Sequence, residues 1–361
     1  MTSATYQPIY ELRRGDSYQE LANEITESVH FGAVAIVDAY GKLIASVGDP
    51  NAITYLRSTA KPFQALPLIE SEAVQQYGLA DDEIAIICSS HSGCDEHVAV
   101  VQKLQEKCGV RESDLLCGIH YPLHEETARA FRQRGETPTS NRHNCSGKHS
   151  GMIAFARFKN LPYDDYINPQ HPIQQTILAT FAEMCRLAPQ QVQVGTDGCS
   201  APNFAVPLYN AALAYARLCD PVQGNVLPAR RVEACQRITH AMTRYAHLVG
   251  GPGRFDSRLM EAAQGKIVSK MGAEGYQGLG LMPGLLGKDS PGIGIALKIS
   301  DGDQRGKVSA AVSLEVLRQI GALGEQVLIV LSEFGPALPL TNFRKLAIGT
   351  AKPIFTLQWH S

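Results

Sequence analysis

The order in which strand-like and helix-like segments follow one another constrains this fold more than any other feature of the sequence. Residues 33–47 predict a hairpin, because two apolar, β-rich runs flank the turn residues Asp38 to Gly41. Helical spacing of apolar residues then dominates the middle of the chain, at 97–107, 152–158, 172–187 and 229–249. The last third contains one predicted helix at 308–322. Strand patterns surround it, at 266–270, 276–281, 292–300, 326–330 and 351–357. This order predicts an α+β fold, an antiparallel β-sheet flanked by helices, rather than alternating βαβ units.

The composition indicates a globular protein with a single domain. Of the 361 residues, 44% are hydrophobic, which is enough apolar material for a large core. The 32 Gly and 20 Pro residues are spread along the chain rather than collected in a linker, so we expect one catalytic domain over residues 1–361. The 33 Lys and Arg residues nearly balance 35 Asp and Glu residues, and no basic stripe is present. This balance argues against a nucleic acid or a membrane surface as a partner.

The start of the sequence and the cysteines both favour a reducing compartment. Residues 1–16 are polar and lack the apolar core of a signal peptide, and no apolar run elsewhere is long enough to cross a bilayer. We therefore expect a cytoplasmic protein. The nine cysteines are odd in number and form no C-x-x-C pair. They are expected to be reduced, buried thiols, except where a metal ion recruits some of them.

Residues 57–66 combine a candidate catalytic pair with the beginning of a helix. Ser58 and Lys61 form an S-x-x-K motif, and residues three apart on a helix share a face, so the Lys61 amine is able to approach the Ser58 hydroxyl. A neutral amine could remove the hydroxyl proton if burial or a second cation lowers the lysine pKa from its ordinary value of roughly 10.4. The alternative is a serine that caps a helix beside a surface lysine. The apolar run after Pro62 favours the first interpretation, since it would hold the lysine against packed structure.

A second serine and a second lysine follow in the order that penicillin-recognising hydrolases use. Ser90 lies in the polar turn 89–93, and Lys270 ends a predicted strand in the place of a K-T-G lysine. If both converge on Ser58, they supply a proton-transfer group and the mutual repulsion that lowers a lysine pKa. The alternatives are an ordinary polar turn for Ser90 and a solvated strand end for Lys270.

Two cysteines on glycine-containing segments form a second chemically active cluster. Cys145 and Lys148 lie in the polar segment 138–149, which we expect to be a site loop. Cys199 lies on another such loop further along the chain. Thiolates are strong zinc ligands, so one interpretation is a zinc site and the other is two unrelated buried cysteines. A lysine binds zinc only as a neutral amine. The first segment also contains two histidines, which are more usual nitrogen ligands: His143 and His149.

Several common signatures are absent from the sequence. It contains no P-loop, no complete G-x-G-x-x-G, no H-E-x-x-H and no G-x-S-x-G. A nucleotide site, a zincin protease and an α/β-hydrolase are therefore not supported.

Taken together, five segments closely resemble the rhizobial-type L-asparaginase II family, and the resemblance covers nearly the whole chain. The most specific of them are the block Asn144-Cys145-Ser146-Gly147-Lys148-His149 and the triplet Asp197-Gly198-Cys199. The other matching segments are residues 57–64, 89–93 and 270–275.

The resemblance implies a homodimeric enzyme that hydrolyses L-asparagine to L-aspartate and ammonia, on a fold similar to that of serine β-lactamases and glutaminases. It further implies two Ser-Lys pairs, Ser58 with Lys61 and Ser90 with Lys270. A zinc ion, one per chain, is implied at three ligands: Cys145, Lys148 and Cys199. The residues implied to line the substrate site are Arg57, His149 and Asp197.

We therefore expect an amidohydrolase that attacks the side-chain amide through Ser58, with Lys61 as the base. Ser90 and Lys270 would relay the proton, although the reverse assignment of the two serines stays open, as does glutamine as a substrate. Zinc is expected to orient the charged α-groups of the substrate. Three other classes compete with this interpretation: a β-lactamase or penicillin-binding hydrolase, an N-terminal-nucleophile amidase cut between Gly195 and Thr196, and a module that binds asparagine without hydrolysing it.

Overall fold

Two antiparallel sheets form the framework of the computed structural model, which describes residues 5–17, 21–304 and 306–361. Residues 1–4 of the polar start lie outside this description. The larger sheet has the strand order β10-β11-β1-β2-β9-β8-β7, with β3 paired to β2 and to β12, and the smaller has the order β4-β6-β5. The strands are β1 (Gln7–Asp16), β2 (Ala22–Asp38), β3 (Leu43–Val47), β4 (Ile53–Tyr55), β5 (Gln193–Thr196), β6 (Pro202–Pro207), β7 (Ile267–Met271), β8 (Tyr276–Leu281), β9 (Ile293–Ile299), β10 (Leu338–Thr341), β11 (Ala347–Pro353) and β12 (Gln358–Trp359).

Helices fill the middle of the chain, as the apolar spacing predicts, and return near its end. The α+β class is therefore confirmed, and so is the antiparallel sheet flanked by helices. The long helix predicted at 229–249 divides at Tyr245 into two. The helices are α1 (Lys61–Ile69), α2 (Ala73–Tyr77), α3 (Asp81–Ile87), α4 (Asp95–Cys108), α5 (Glu125–Arg134), α6 (Ser146–Phe158), α7 (Pro172–Met184), α8 (Leu208–Cys219), α9 (Ala229–Arg244), α10 (Ala246–Val249), α11 (Phe255–Ala262), α12 (Val308–Gln319) and α13 (Glu325–Val330).

The larger sheet separates two apolar cores, because successive side chains of a strand point to opposite faces. In β9, Ile295 and Leu297 belong to the core that contains residues of α11 and α12, whereas Ala296 belongs to the core that contains residues of α8. Helix α8 crosses β9 at Gly294, where a Cβ would come within 1.8 Å of the Ala212 carbonyl oxygen. Glycine is therefore required for this close crossing.

The N-terminal hairpin and the strand that carries Lys270 are both present as predicted. In the hairpin, β2 and β3 are antiparallel neighbours, with Val34 opposite Val47. Strand β7 lies at the end of the larger sheet, and its Lys270 is opposite Gly278 of β8. The Lys270 side chain is fully buried, so the alternative of a solvated strand end is wrong.

One predicted strand is wrong and another is misplaced. The run 326–330 is helix α13, which packs Val327 and Leu328 against the core beside α12. A short apolar run has no period that separates helix from strand, so tertiary packing decides between them. The strand predicted at 351–357 begins earlier, as β11, and ends at Pro353.

The cysteines are free thiols, as their spacing predicts. Eight of the nine are buried, and Cys94 is half-buried. In the part of the chain that the structure describes, no helix combines the length and the apolar character needed to cross a membrane.

Candidate active site

Two lysines and one serine form a continuous hydrogen-bonded chain in the interior. Lys61 Nζ donates to Ser90 Oγ at 2.9 Å, and Lys270 Nζ lies 2.8 Å from the same oxygen. All three side chains are buried. The structure thus brings together three of the four residues expected to form the Ser-Lys pairs. We call this group the Ser-Lys chain.

The Lys61 amine joins three separate parts of the sequence. Lys61 is the first residue of α1, directly after a 3-10 turn at 57–60. Besides Ser90, its amine donates to the carbonyl oxygens of Ser89, at 2.5 Å, and of Asn144, at 3.2 Å. Three acceptors therefore fix the amine between the turn after α3 and the start of α6.

Ser58 lies in the same 3-10 turn, next to a strained residue. Arg57 has a φ of +55°, in the left-handed region that is costly for a residue with a side chain. The buried Asn203 side chain supports this conformation by accepting the Arg57 N–H at 3.0 Å. The half-buried Ser58 hydroxyl makes no hydrogen bond with another described residue. The expected contact between Ser58 and Lys61 is therefore not formed, and the Lys61 amine is bound to the other serine.

The turn that follows α3, residues 89–93, holds Ser90 through backbone and imidazole hydrogen bonds. The Ser90 N–H donates to the Val249 carbonyl at 2.9 Å. His91 Nδ1 accepts a backbone N–H from the same turn, so the ring proton is on Nε2, which lies 2.8 Å from Ser146 Oγ. Burial lowers the pKa of His91 well below its ordinary value. His91 is therefore a neutral structural residue that ties the turn to α6.

Lys270 is close to its point of deprotonation at neutral pH. Its amine donates to the Met271 carbonyl at 2.8 Å, in addition to its contact with Ser90. Burial lowers the pKa of Lys270 to about 7, the Asp256 carboxylate opposes this shift, and the Lys61 amine adds to it. Near pH 7 the amine therefore exists in both forms and is able to accept or donate a proton.

A second cluster lies where the turn after β5 meets the start of α6. Lys148 Nζ donates to Cys199 Sγ at 3.0 Å, and the Cys145 thiol interacts with both residues. All three side chains are buried. We call Cys145, Lys148 and Cys199 the sulfur cluster.

Helix α6 begins earlier than the sequence predicts. It covers the end of the expected site loop 138–149, so Lys148 and His149 are helical. Gly147 makes this possible, because a Cβ there would come within 2.2 Å of the Ile86 carbonyl oxygen. The glycine that favoured a loop in the sequence instead allows α6 to pack closely against α3.

The sulfur cluster has donor types that suit a zinc ion. The interaction between the Cys145 and Cys199 thiols lowers the pKa of Cys145 well below its ordinary value. This shift favours a thiolate at Cys145. For Lys148, burial favours the neutral amine, but the two sulfurs and the nearby Asp197 carboxylate raise its pKa. Buried beside Cys199, His149 Nε2 has no hydrogen-bond partner among the described residues. These residues include no metal-holding group of three or more His, Cys, Asp or Glu side chains, so zinc would need the lysine, without its proton, as the third donor.

The residues expected to line the substrate site lie beside the sulfur cluster. Arg57 Nε donates to Asp197 Oδ1 at 2.7 Å. Burial opposes ionisation of this carboxyl, but the charges of Lys148 and Arg57 lower the pKa of Asp197. Burial lowers the pKa of His149 to about 4, and its Nδ1 lies 2.5 Å from the Tyr166 hydroxyl. The site therefore presents an anion, a cation and a neutral imidazole.

The Ser-Lys chain and the sulfur cluster adjoin each other at the start of α6, because Lys61 is bound to the carbonyl of Asn144, the residue before Cys145. Glu274, in the connection between β7 and β8, lines two surface clefts. One, of about 430 Å³, is also lined by Arg57, and the other, of about 740 Å³, is also lined by Met271. The two clefts thus reach residues next to Ser58 and next to Lys270.

Two residues of this site have no signal in the sequence. Asn203 supports Arg57 from β6, and Asp256 faces Lys270 from α11. Asn203 acts on a residue 146 positions earlier in the chain, Asp256 acts across from a helix to a neighbouring strand, and neither belongs to a recognisable motif. Only the tertiary structure identifies them.

The sequence matches one protein family, and the fold is similar to that of solved glutaminase structures. A family model described as L-asparaginase II matches residues 20–353. No curated protein matches the sequence significantly. Among solved structures, a Bacillus subtilis glutaminase in covalent complex with 5-oxo-L-norleucine is similar at 14% identity, over 86% of this chain and 93% of that chain, with a TM-score of 0.39. A Bacillus glutaminase studied in 4.3 M NaCl is similar at 13% identity, over 81% and 92%, with a TM-score of 0.38.

Proposed function

The chain belongs to the L-asparaginase II family and is therefore an amidohydrolase, and from this premise we propose that it hydrolyses L-asparagine to L-aspartate and ammonia through a serine acyl-enzyme. The observation that carries the proposal is the buried Ser-Lys chain, in which one hydroxyl connects two amines at 2.9 and 2.8 Å. Such a chain is able to store and move the proton that a serine nucleophile must lose.

We assign Ser58 as the nucleophile and Ser90 as a relay. Ser90 Oγ is buried and already contacts two amines, so its lone pairs are not free to attack a carbonyl. The Ser58 hydroxyl is half-buried, has no hydrogen-bond partner among the described residues and lies three residues before Lys61. The strained Arg57 next to it is typical of backbone at a functional site.

The proton of Ser58 would follow a path through the buried groups. Because the pKa of Lys270 is about 7, this amine is neutral in part of the molecules at neutral pH. A proton that moves from Lys61 through Ser90 to Lys270 leaves a neutral amine at Lys61, which the Ser58 hydroxyl would reach by rotating toward it. Lys61 then accepts the Ser58 proton while the serine oxygen attacks the side-chain carbonyl. Proton transfer to the amide nitrogen releases ammonia, and water cleaves the aspartyl ester with the same groups as acid and base.

The charged residues beside this path suit an amino-acid substrate. We propose that Asp197 contacts the α-ammonium group and Arg57 the α-carboxylate, while the neutral His149 lines the site. Their mutual ion pair, at 2.7 Å, keeps both charges in place before the substrate arrives. A substrate without either α-group would lose one of these contacts.

We further propose that one zinc ion per chain is held by Cys145, Lys148 and Cys199. When bound there, the ion supplies positive charge that orients the charged α-groups of the substrate. Cys145 is the ligand best prepared for it, since its pKa is already lowered. Lys148 must release its proton to bind.

We also propose four general properties of the protein. They are a single catalytic domain over residues 1–361, a cytoplasmic location, a homodimer, and the absence of nucleic-acid and membrane partners. Light scattering on the purified protein measures the oligomeric state directly.

An ammonia-release assay tests the proposed function. We expect L-asparagine to be hydrolysed, activity to fall after treatment with a chelator, and zinc to restore it. L-Glutamine and a chromogenic β-lactam, assayed in parallel, separate the competing amidase and β-lactamase activities. Turnover of either compound with none of L-asparagine would contradict the proposal, and so would two fragments of the chain on a denaturing gel.

A further inference from the structure

Asp256 is the carboxylate that faces the Ser-Lys chain. It lies on α11, is buried, and places Oδ2 3.9 Å from Lys270 Nζ. Among the described residues, no other carboxylate oxygen lies within 4.0 Å of the amine of Lys61 or Lys270. Of the two amines, Lys270 is therefore the one with a carboxylate within 4.0 Å among the described residues.

Three donors hold this carboxylate in place. Oδ1 accepts hydrogen bonds from Ser269 Oγ at 2.7 Å and from Gln277 Nε2 at 3.0 Å, and Oδ2 accepts the Met271 N–H at 2.8 Å. The side chains of Ser269 and Gln277 are fully buried and are bonded to each other at 2.9 Å. These three hydrogen bonds fix the direction in which the carboxylate points.

The same carboxylate also supports the backbone that binds the Lys270 amine. It accepts the Met271 N–H, and the Met271 carbonyl accepts the Lys270 amine at 2.8 Å. Asp256 therefore acts on Lys270 in two ways. Its charge lies near the Lys270 amine, and its hydrogen bond supports the β7 backbone that binds this amine.

We infer that Asp256 is a positioning residue that keeps Lys270 able to exchange a proton with Ser90. The catalytic meaning of this inference rests on the proposed function, whereas the contact itself does not. Burial and the Lys61 amine both disfavour a charged Lys270, and the Asp256 carboxylate opposes them. The charged and titratable groups that face Lys270 are Asp256, Lys61, Arg254, Cys88 and Cys145.

The pH dependence of kcat tests the inference in active enzyme. Asp256→Asn removes the negative charge at nearly constant side-chain volume. We therefore expect the midpoint of the acidic limb of the kcat profile to move to lower pH by about one unit or more, which is the shift typical of losing an opposite charge at this distance. The control is Ser269→Ala, which removes one donor from the same carboxylate but keeps its charge, and it should leave the midpoint unchanged. An active, folded Asp256→Asn enzyme with the wild-type midpoint would overturn the inference.

A stability cycle tests the same contact without any assay of activity. Urea unfolding is measured for the wild type, Asp256→Asn, Lys270→Met and the double variant. We expect Asp256→Asn to lower the free energy of unfolding more in the wild-type background than in the Lys270→Met background. Only the wild-type background contains the Lys270 amine, which loses its carboxylate partner in the Asp256→Asn variant. An Asp256→Asn protein that unfolds while the double variant folds supports the inference as well. Equal costs in both backgrounds, or loss of folding in both, would overturn it. Absence of asparagine hydrolysis by the wild type would instead contradict the proposed function and leave this cycle decisive.

Discussion

The Ser-Lys chain and the sulfur cluster each contain a buried lysine, and the two lysines titrate in opposite directions. Burial lowers the pKa of Lys270 to about 7, because the single carboxylate at 3.9 Å does not outweigh it. Lys148 is buried as well, yet its pKa is raised, because two sulfur groups and a carboxylate outweigh burial. Burial alone therefore does not determine the charge of a buried lysine. The number and distance of the neighbouring anions decide it.

This difference assigns different chemistry to the two regions. An amine that loses its proton near pH 7 suits proton transfer. An amine that stays a cation beside thiols suits a metal-binding site in which the amine releases its proton when the metal ion binds.

The largest expected effect comes from removing the nucleophile. Ser58→Ala should lower the rate of asparagine hydrolysis by on the order of 10³-fold or more, because no other hydroxyl replaces it. Ser90→Ala should cost less, since a water molecule is able to bridge the two amines. Ammonia release measures both rates, and mass spectrometry of protein quenched during turnover detects the aspartyl ester.

The matched control is Ser313→Ala, which removes a buried hydroxyl bonded to the Ser309 carbonyl within α12. It should retain wild-type activity. If Ser58→Ala keeps its activity and Ser90→Ala loses it, the reverse assignment of the two serines is correct.

The sulfur cluster is expected to control metal content and substrate binding rather than the chemical step. Purified protein should contain about one zinc ion per chain, and Cys199→Ser should lose it, because a serine hydroxyl is a poor zinc ligand. KM for asparagine should rise more than kcat falls. Elemental analysis and steady-state kinetics measure the two effects. The control is Cys185→Ala, which changes a buried cysteine directly after the end of α7 and should leave the zinc content unchanged. Metal-free protein with full activity would eliminate the zinc proposal.

The pH profile of kcat follows from the lowered pKa of Lys270. Below this value, about 7, the Lys270 amine keeps its proton and cannot accept another through Ser90, so kcat should fall roughly tenfold per pH unit. Above it, one amine is neutral and kcat should reach a plateau, provided that the fold is intact. A kcat that stays constant from about pH 6 to about pH 9, with chemistry shown to limit the rate, would contradict a lysine base.

The sequence predicts the parts of this protein that local patterns encode. The hairpin of β2 and β3, the strand of Lys270 and the helix after Ser90 all follow from apolar spacing and turn residues. The identity of the segment 326–330 does not, because its four consecutive apolar residues fit a helix as well as a strand. Asp256 is beyond local prediction too, since it acts on Lys270 only after α11 packs against β7.

The smallest expected effect tests how the two regions are joined. Arg57 precedes Ser58 and also binds Asp197 at 2.7 Å, and the Asn203 side chain holds its strained backbone. Asn203→Ala removes the acceptor of a backbone N–H, so we expect a loss of about 1–3 kcal/mol in the free energy of unfolding. Because Ser58 then leaves its productive position, kcat should fall by roughly tenfold, with the zinc content unchanged.

The control is Asn210→Ala. It also removes a hydrogen bond between a side chain and the backbone, here to the Cys185 carbonyl, but Asn210 lies on α8. Urea unfolding and kcat measured on both variants decide the question. If both variants lose the same stability but kcat falls only in Asn203→Ala, Asn203 supports the turn that carries the nucleophile. Equal kcat values in the two variants would show that the strain at Arg57 has no part in catalysis.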